Sequence, residues 1–592
     1  MNTKKLLLSA GLITGITLAV TLAPEADQAA NPQAVEPVQP TLVTTPVSAM
    51  VPAAPAMDSS MAAAGETSSS SGLTDLAAER MSPAVSALAS RGGREPVELI
   101  VSYATALNQQ EIDRAIALGA EVQRSFTALR MVSLRVPAEA LEALSLGDAV
   151  KHLALNEDVS AAAYATLQPI SIAEVETFRS SSLKTSNVPE FNSAKLQSLD
   201  PPGIAVIDSG VIAHWDLNVI NRYDCTVAST TNMLSAAAQN SCTDVVSLGL
   251  QGAALDPFGH GTHVASVVAG DGTESGGDYT GVAPGLPIHS FRVLDGKGRG
   301  SVSDVIAALD WILLNGDLTN IRVVNLSLGK SIDESISTDP LVLAVEAVWD
   351  AGYVVVASAG NYGAAGEFSI TSPGNSRKVI TAGSLTDEKT GSDFADDFVS
   401  SYSSMGPTLV DHVLKPDLIA PGNRYVAASH TDSDLYKQLA TGQTLTCGSA
   451  CAAHYLELSG TSMAAGMVSG TAALMLAMDP SLTPATVKAR LMRSARKLDG
   501  DPIATGAGVL DVTAALRDSG MFNGDALSPI MARSEEGPVI LVEDTAELWG
   551  ADQWSAGWLW ADGWLWADGF LWADHVGSDD QKAASMALRH GE

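Results

Sequence analysis

The sequence predicts an α/β protein: a doubly wound parallel sheet with helices on both faces, preceded by a small α+β module. Two observations support this fold class. Between residues 199 and 517, short β-branched apolar runs alternate with segments of helical spacing. Continuous apolar strands that alternate with helices are typical of a parallel sheet covered on both faces. Residues 96–156 have a different order of elements, β-α-β-β-α-β, which predicts a separate module.

The chain begins with a predicted export signal. Lys4 and Lys5 precede the uncharged run 6–23, and small residues suited to cleavage follow up to residue 30. We therefore interpret 1–30 as a signal peptide and expect a secreted protein, with a periplasmic or surface-attached location as variants. The alternative is an uncleaved anchor, because the run is close to the shortest length that spans a membrane. Residues 463–478 are also apolar but contain Gly and Ser, which favours a buried helix.

Residues 31–92 are rich in Ala, Pro, Ser, Thr and Met, a composition that predicts a low-complexity linker without a core. The module at 93–160 begins with alternating apolar residues at 97–103, and Asn108 precedes a helix. Strands are expected at 122–126, 131–136 and 150–155, with a short helix after Pro137. This order is that of a ferredoxin-like module.

The domain at 199–517 contains the predicted parallel sheet. Its clearest strands are 203–207, 322–326, 353–357 and 379–382, and helical spacing occurs at 302–314 and 341–351.

The whole chain has 34 basic and 67 acidic residues, a net charge of −33. Because nucleic acids and anionic membranes are bound by basic surfaces, this charge excludes both as expected partners, apart from the membrane contact of the signal.

The acidic tail at 518–592 contains seven of the ten Trp residues, and from Trp558 the unit WLWADG repeats. Asp562-Gly563 and Asp568-Gly569 fit two-residue hairpin turns, which predicts a meander with two apolar faces. Such a meander must dock, self-associate or bind a surface. The alternative is a tail without fixed structure, because so short a sheet is marginal alone.

Four cysteines allow three pairings, and export would let disulfides persist. Nearness in sequence favours Cys225 with Cys242 and Cys447 with Cys451. A metal site built from these cysteines is disfavoured, because the sequence contains no CxxC pair.

Three short motifs together predict nucleophilic catalysis. Asp208 ends an apolar strand, His260 opens a helix-like run, and Ser462 precedes the apolar run that begins at Ala464. Each alone is more typical of a turn or a helix cap. Amide hydrolysis needs all three types: a hydroxyl nucleophile, a base that titrates near neutrality, and a carboxylate that orients the base. The Ser462 N–H would lie at a helix N-terminus, where negative charge is stabilised.

Asn361 follows the predicted strand at 353–357 and could donate its amide to a tetrahedral oxyanion. Alone, it would equally suit a turn before Tyr362-Gly363.

Competing catalytic chemistries fit the sequence less well. A Gly-x-Ser-x-Gly elbow is missing because Ala464 lies two residues after Ser462, and His260 and His263 do not form a His-Glu-x-x-His zinc motif.

Residues 199–517 resemble the subtilisin-like serine proteases, or subtilases. The order Asp…His…Ser is the family's order. Further family-like stretches are GVAPG at 281–285, FRVLDGKGRGSVSDV at 291–305, VVNLSLG at 323–329, YSSMGP at 402–407 and LKPDLIAPG at 414–422. The resemblance implies Asp208, His260 and Ser462 as the triad, with Asn361 as oxyanion donor. It also implies that the substrate cleft is lined by two segments: Ser327, Leu328 and Gly329; and Ala357, Ser358 and Ala359.

The resemblance implies an exported, self-processing serine endopeptidase that acts on proteins and peptides, of broad specificity with an apolar preference. The module at 93–160 would be an inhibitory propeptide, with self-cleavage between about 157 and 198 and an activation linker at 161–198. An unrelated accessory domain is the alternative.

No cofactor is expected for the chemistry. Calcium often stabilises this family, and the loop with Asp271, Glu274 and Asp278 is a candidate, although a solvated loop is the favoured interpretation. Rival functions are a serine esterase and a catalytically weak protein that binds surfaces through its tail.

Overall fold

The computed structural model describes residues 74–162, 186, 201–226, 242–245, 248–387, 394–439, 444–446, 454–498, 501–533 and 539–542. The predicted signal peptide, Cys447, Cys451 and the WLWADG repeats lie outside these residues. Within them, the fold has two parts: a small α+β module from residue 74 to 155, and a large α/β domain that begins near residue 201.

The N-terminal module has the expected β-α-β-β-α-β order. Its strands are β1 (Pro96–Tyr103), β2 (Glu121–Phe126), β3 (Met131–Pro137) and β4 (Val150–Leu155). They form an antiparallel sheet in the order β2-β3-β1-β4. The helices are α1 (Asp75–Glu79), α2 (Pro83–Arg91), α3 (Gln109–Ala117) and α4 (Leu141–Ser145). As expected, the Asn108 side chain caps α3 by accepting from the Glu111 N–H.

The prediction of a linker over 31–92 is wrong for its last part, because residues 74–91 form α1 and α2. Ala77, Met81 and Val85 are buried in the module's own core. Thr74 and Ser82 cap the two helices, and Pro83 begins α2. Arg80 donates to the carbonyls of Ser145 and Gly147 after α4. The Ala-rich composition concealed this pair because it offers few large apolar residues, and those that are buried pack against a later part of the chain.

The α/β domain is built on a nine-stranded, mainly parallel sheet with helices on both sides. The strand order is β15-β14-β13-β11-β6-β9-β7-β8, and β16 also pairs with β14. These strands are β6 (Gly203–Asp208), β7 (Val219–Asp224), β8 (Thr243–Asp244), β9 (Ile288–Arg292), β11 (Ile321–Leu326), β13 (Val354–Ser358), β14 (Ile380–Thr386), β15 (Phe398–Val399) and β16 (Leu418–Pro421). The strands β6, β13 and β14 are buried throughout, which explains their unbroken apolar runs.

The helices of this domain pack against the sheet and against one another. They are α5 (His260–Ala269), α6 (Val302–Asn315), α7 (Pro340–Asp350), α8 (Asp434–Leu439), α9 (Thr461–Met478), α10 (Pro484–Ser494), α11 (Pro502–Thr505) and α12 (Val512–Arg517). Short 3₁₀ turns occur at Ala138–Ala140, Gly252–Leu255, Gly316–Thr319 and Gly363–Ala365. Among the described residues, α9 is the one helix long and apolar enough to cross a membrane, and 94% of that window is buried.

The remaining strands form smaller sheets. β5 (Asp158–Ala161) lies between β10 (Arg299–Ser301) and β12 (Leu328–Gly329), and both pairings are antiparallel. A second sheet contains β17 (Tyr425–Ser429), β18 (Thr444–Thr446) and β19 (His454–Leu458), and a hairpin joins β20 (Ile530–Arg533) to β21 (Val539–Val542). Part of the predicted tail therefore packs on the domain, since Leu414 donates to the Pro529 carbonyl and Met531 to that of His412.

Candidate active site

The structure pairs Asp208 with His260 at the carboxyl end of a central strand. Asp208 is the last residue of β6, and His260 is the first residue of α5, which begins after Gly259 at a left-handed φ of 97°. The His260 Nδ1 lies 2.8 Å from Asp208 Oδ1 and 2.9 Å from Oδ2, and both side chains are fully buried. The carboxylate therefore holds the proton on Nδ1 and leaves Nε2 as the nitrogen that can exchange one.

A second buried carboxylate, Asp256, fixes the start of α5. Its Oδ1 accepts hydrogen bonds from the Ser209 hydroxyl at 2.7 Å and from the Gly259 N–H at 2.8 Å. Its Oδ2 accepts from the Thr262 N–H at 2.9 Å and from the Thr262 hydroxyl at 2.5 Å. Asp256 thus ties the helix that carries His260 to the residue after Asp208. The sequence analysis missed Asp256 because its role depends on this tertiary contact, and the residue resembles any loop acid.

Ser462 is the second residue of α9 and is fully buried. Its hydroxyl lies 2.5 Å from the carbonyl oxygen of Ala162 and 3.2 Å from that of Ser327. Its N–H donates to the same Ala162 oxygen at 3.3 Å. His260 Nε2 is buried and has no hydrogen-bond partner among the described residues. The Ser462 hydroxyl is therefore directed at the Ala162 carbonyl and is not hydrogen-bonded to His260.

Residues 158–162 occupy the cleft in front of Ser462. Strand β5 forms antiparallel pairs with β10 on one side and β12 on the other, with Ser160 opposite Arg299 and Gly329. The Ala162 N–H extends this pattern by donating to the Ser327 carbonyl at 3.1 Å. Val159 is 1% exposed and packs into the core of the large domain. An extended segment is thus held by main-chain hydrogen bonds on both edges, as peptides are when they add to a sheet.

Asn361 lies beside Ser462, three residues after the end of β13. Its Oδ1 accepts from the Thr461 N–H and the Thr461 hydroxyl, both at 3.0 Å. These two hydrogen bonds orient the amide, since they commit the oxygen to Thr461 and leave Nδ2 as the donor end. Thr461 also accepts from the Gly360 N–H at 3.2 Å. The turn before α9 and the segment after β13 are thereby held together.

Of the two predicted cleft segments, the first lies next to residues 158–162, and the second contacts the first. Ser327, Leu328 and Gly329 face Ala162, Ala161 and Ser160 in that order. Ala357, Ser358 and Ala359 are fully buried at the end of β13, and the Ser358 hydroxyl contacts the Leu328 carbonyl at 3.5 Å. The sequence analysis did not identify β10 as the other edge, although it noted the stretch 291–305 that contains this strand.

Ion pairs connect the chain just before β5 to the large domain. Lys330 Nζ lies 2.6 Å from Glu157, 2.9 Å from Asp333 and 3.5 Å from Asp339. Burial raises the pKa of Glu157 to about 7, although Lys330 opposes this. His152 Nε2 lies 2.8 Å from Glu334, and both side chains are buried. The module and the domain therefore share several charges that are removed from solvent.

Further contacts anchor the module near β2. Arg124 lies 2.9 Å from Asp304 and also donates to the Cys225 carbonyl. The Ala128 and Leu129 N–H groups donate to Asp310 Oδ1 at 2.9 and 3.2 Å. Cys225 itself is disulfide-bonded to Cys242, the first of the two expected pairs.

In the candidate calcium loop, Asp271 accepts from the Thr273 N–H at 2.9 Å, and the Glu274 N–H donates to Asp216 at 2.8 Å. Within the described part of the chain, no group of three or more His, Cys, Asp or Glu side chains could hold a metal ion. Asp271, Glu274 and Asp278 therefore do not converge on a common centre.

The class of protein is defined by three residues on one α/β sheet: the buried Asp208–His260 pair, and Ser462 at a helix N-terminus. These features are those of the serine hydrolases. Comparison with known proteins gives the family: residues 202–509 match the model of the subtilase family. The chain therefore belongs to the subtilases, which are serine endopeptidases. This confirms the resemblance seen in the sequence.

Individual relatives support the same family assignment. Serine protease AprX of Bacillus subtilis is 36% identical over 314 residues, which cover 52% of this chain and 64% of that protein. Subtilisin DY of Bacillus licheniformis is 30% identical over 53% of this chain and 89% of its own length. The crystal structure of fervidolysin from Fervidobacterium pennivorans, a keratinolytic enzyme related to subtilisin, matches with a TM-score of 0.51. That match has 21% identity and covers 72% of this chain and 62% of fervidolysin, so it supports the fold alone.

Proposed function

We propose that this chain is an exported serine endopeptidase that cleaves itself after Ala162. The observation that best supports this proposal is the Ala162 carbonyl, which lies against both the Ser462 hydroxyl and the Ser462 N–H. Residues 158–161 lead up to it as a strand held on both edges, which is the geometry of a bound substrate. The segment from 74 to 162 then acts as an intramolecular inhibitor, because it fills the cleft that a substrate would enter.

In the proposed reaction, Ser462 Oγ attacks the carbonyl carbon of residue 162 and its proton passes to His260 Nε2. Asp208, bonded to Nδ1, stabilises the imidazolium that forms. The Ser462 N–H and the Asn361 amide donate to the oxyanion. His260 then gives the proton to the nitrogen of residue 163 as the C–N bond breaks, and water hydrolyses the acyl-enzyme by the same relay.

Export is supported by the predicted signal at 1–30 and by the disulfide between Cys225 and Cys242. A relative from Thermus sp. with 35% identity is named an extracellular serine proteinase. We infer that the mature enzyme acts outside the cytoplasm on extended polypeptides, with a buried apolar residue at the position equivalent to Val159. Fractionation of cells that express the whole chain tests this: the active protein should be found outside the cytoplasm and should lack residues 1–30.

Self-cleavage is tested by expressing the whole chain beside its Ser462→Ala variant. The unaltered chain should yield a mature form that begins at Ala163, as identified by N-terminal sequencing. The Ser462→Ala chain should keep residue 162 joined to residue 163 and lose only the signal peptide. Cleavage of this variant near residue 162 in the absence of any added protease would contradict self-cleavage. A mature wild-type form that begins far from residue 163 would contradict the assigned bond.

A further inference from the structure

Asp256 places a buried negative charge at the start of the helix that carries His260. The Gly259 and Thr262 N–H groups, which lie at the N-terminus of α5, donate to its two carboxylate oxygens at 2.8 and 2.9 Å. The hydroxyls of Ser209 and Thr262 are its other two partners among the described residues. A carboxylate that meets only donors accepts these bonds in its ionised form. Because these donors are all neutral, none of them cancels the charge.

The position of this charge matters because His260 is the first residue of α5. The N-terminus of a helix carries a partial positive charge, which makes a cation there unfavourable. In the proposed reaction the imidazole becomes such a cation when it takes the Ser462 proton. Asp208 offsets part of this cost through its bond to Nδ1. Asp256 accepts from the N–H groups that create the positive end, so it offsets the rest at its origin.

Hydrogen bonds also join the two carboxylates, Asp208 and Asp256, through a single residue. The Ser209 N–H donates to Asp208 Oδ1 at 2.7 Å, and the Ser209 hydroxyl donates to Asp256 Oδ1, also at 2.7 Å. The same hydroxyl accepts from the Gly261 N–H at 3.0 Å. Since Gly261 directly follows His260, these bonds fix both carboxylates relative to the start of α5.

We propose that the negative charge of Asp256 favours the protonated form of His260 during the reaction, in addition to Asp208. This inference rests on the proposed function, in which His260 accepts the Ser462 proton. Asp256 touches neither the substrate nor the reacting atoms, so it is a positioning residue that acts through His260. Loss of its charge, rather than loss of its hydrogen bonds, should therefore slow the reaction.

Three other titratable side chains lie near this pair. His263, on α5, is fully buried, and burial lowers its pKa to about 3, so it stays neutral. The segment before α8 packs on the loop that contains Asp256: His430 Nε2 lies 2.8 Å from the Asp256 carbonyl oxygen, and the Asp434 N–H donates to the Pro257 carbonyl at 3.0 Å. Because an imidazole titrates near neutrality, His430 needs a control of its own.

The test measures kcat/KM of the mature enzyme on one peptide between pH 5 and 9, for the wild type and for Asp256→Asn. The plateau should fall about ten-fold, and the acid limb should move to lower pH by about half to one pH unit. The limb moves in this direction because His260 releases its proton more readily once the helix terminus is no longer neutralised. KM should change little. Asp256→Ser is a second neutral variant and should show the same displacement.

Thr262→Val is the matched control, since it removes one hydrogen bond to Asp256 and keeps the charge. It and His430→Gln should both keep the wild-type acid limb. An unchanged limb in folded Asp256→Asn, or an equal displacement in Thr262→Val, would overturn the assignment to charge. Loss of the limb in His430→Gln would assign it to the wrong imidazole. If neither neutral variant folds while Thr262→Val does, Asp256 serves the fold and the proposal is wrong. A wild type without proteolytic activity would instead refute the proposed function.

Discussion

The oxyanion role of Asn361 gives a prediction that separates chemistry from stability. Replacing Asn361 by Ala removes an amide donor beside Ser462. Loss of one oxyanion donor lowers kcat by about 10²–10³, equivalent to about 2.7–4 kcal/mol, whereas KM should change little. The same substitution removes the acceptor of two hydrogen bonds from Thr461, which is fully buried. We therefore also expect a loss of about 1–3 kcal/mol in the free energy of unfolding.

Thr461→Val is the control for that stability cost. It removes one of the two hydrogen bonds that orient Asn361, and the acceptor for the Gly360 N–H, but it keeps the amide of residue 361. Its unfolding free energy should fall by a similar amount, while kcat falls less than ten-fold. Both variants are assayed by steady-state hydrolysis of a peptide well below their melting temperatures. A folded Asn361→Ala protein with near-normal kcat would refute the role of the amide, and equal kcat losses in both variants would assign the effect to local packing.

Two further predictions concern the contacts that hold the parts of the chain together. In the uncleaved Ser462→Ala chain, burial raises the pKa of Glu157 from 4.5 to about 7. The folded state therefore binds this proton more tightly than the unfolded state, so the contribution to stability is fully present below pH 4.5 and is lost as the pH rises through 7. Thermal unfolding between pH 4.5 and 8 should therefore show a decline that Glu157→Gln reduces, and an identical decline in both proteins would contradict this. Ser528→Ala should cost about 1–3 kcal/mol, because the hydroxyl bridges buried Lys488 and Asp417 at 2.9 and 2.6 Å. Urea unfolding measures this, with half-buried Ser494→Ala as the control, and an equal, small loss in both would show that the bridge contributes nothing.

The sequence was sufficient for the parts of the molecule that depend on local pattern. Apolar strands alternating with helices placed Asp208 at a strand end and His260 at a helix start, and parallel strands bring such ends to one edge of a sheet. The module at 96–156 was predicted for the same reason, because its strands alternate and its helix has a recognisable cap.

Other features depend on contacts between distant residues and left no local signal. The seating of Ala162 against Ser462 joins positions 300 residues apart. The helices at 75–91 are rich in Ala and contain few large apolar residues, and Val85 is buried by strands and helices later in the chain. Asp256 is an ordinary polar residue in the sequence, and only the elements around it give it a position in the site.

The most direct test of the account is active-site labelling. The mature protein is treated with a serine-directed fluorophosphonate, the modified residue is mapped by mass spectrometry, and digestion of an unfolded protein is followed in parallel. The account predicts one label on Ser462 of the mature wild type, no label on Ser462→Ala, which stays uncleaved, and no proteolysis by either Ser462→Ala or His260→Ala. A label on another serine, or undiminished proteolysis by Ser462→Ala, would contradict it.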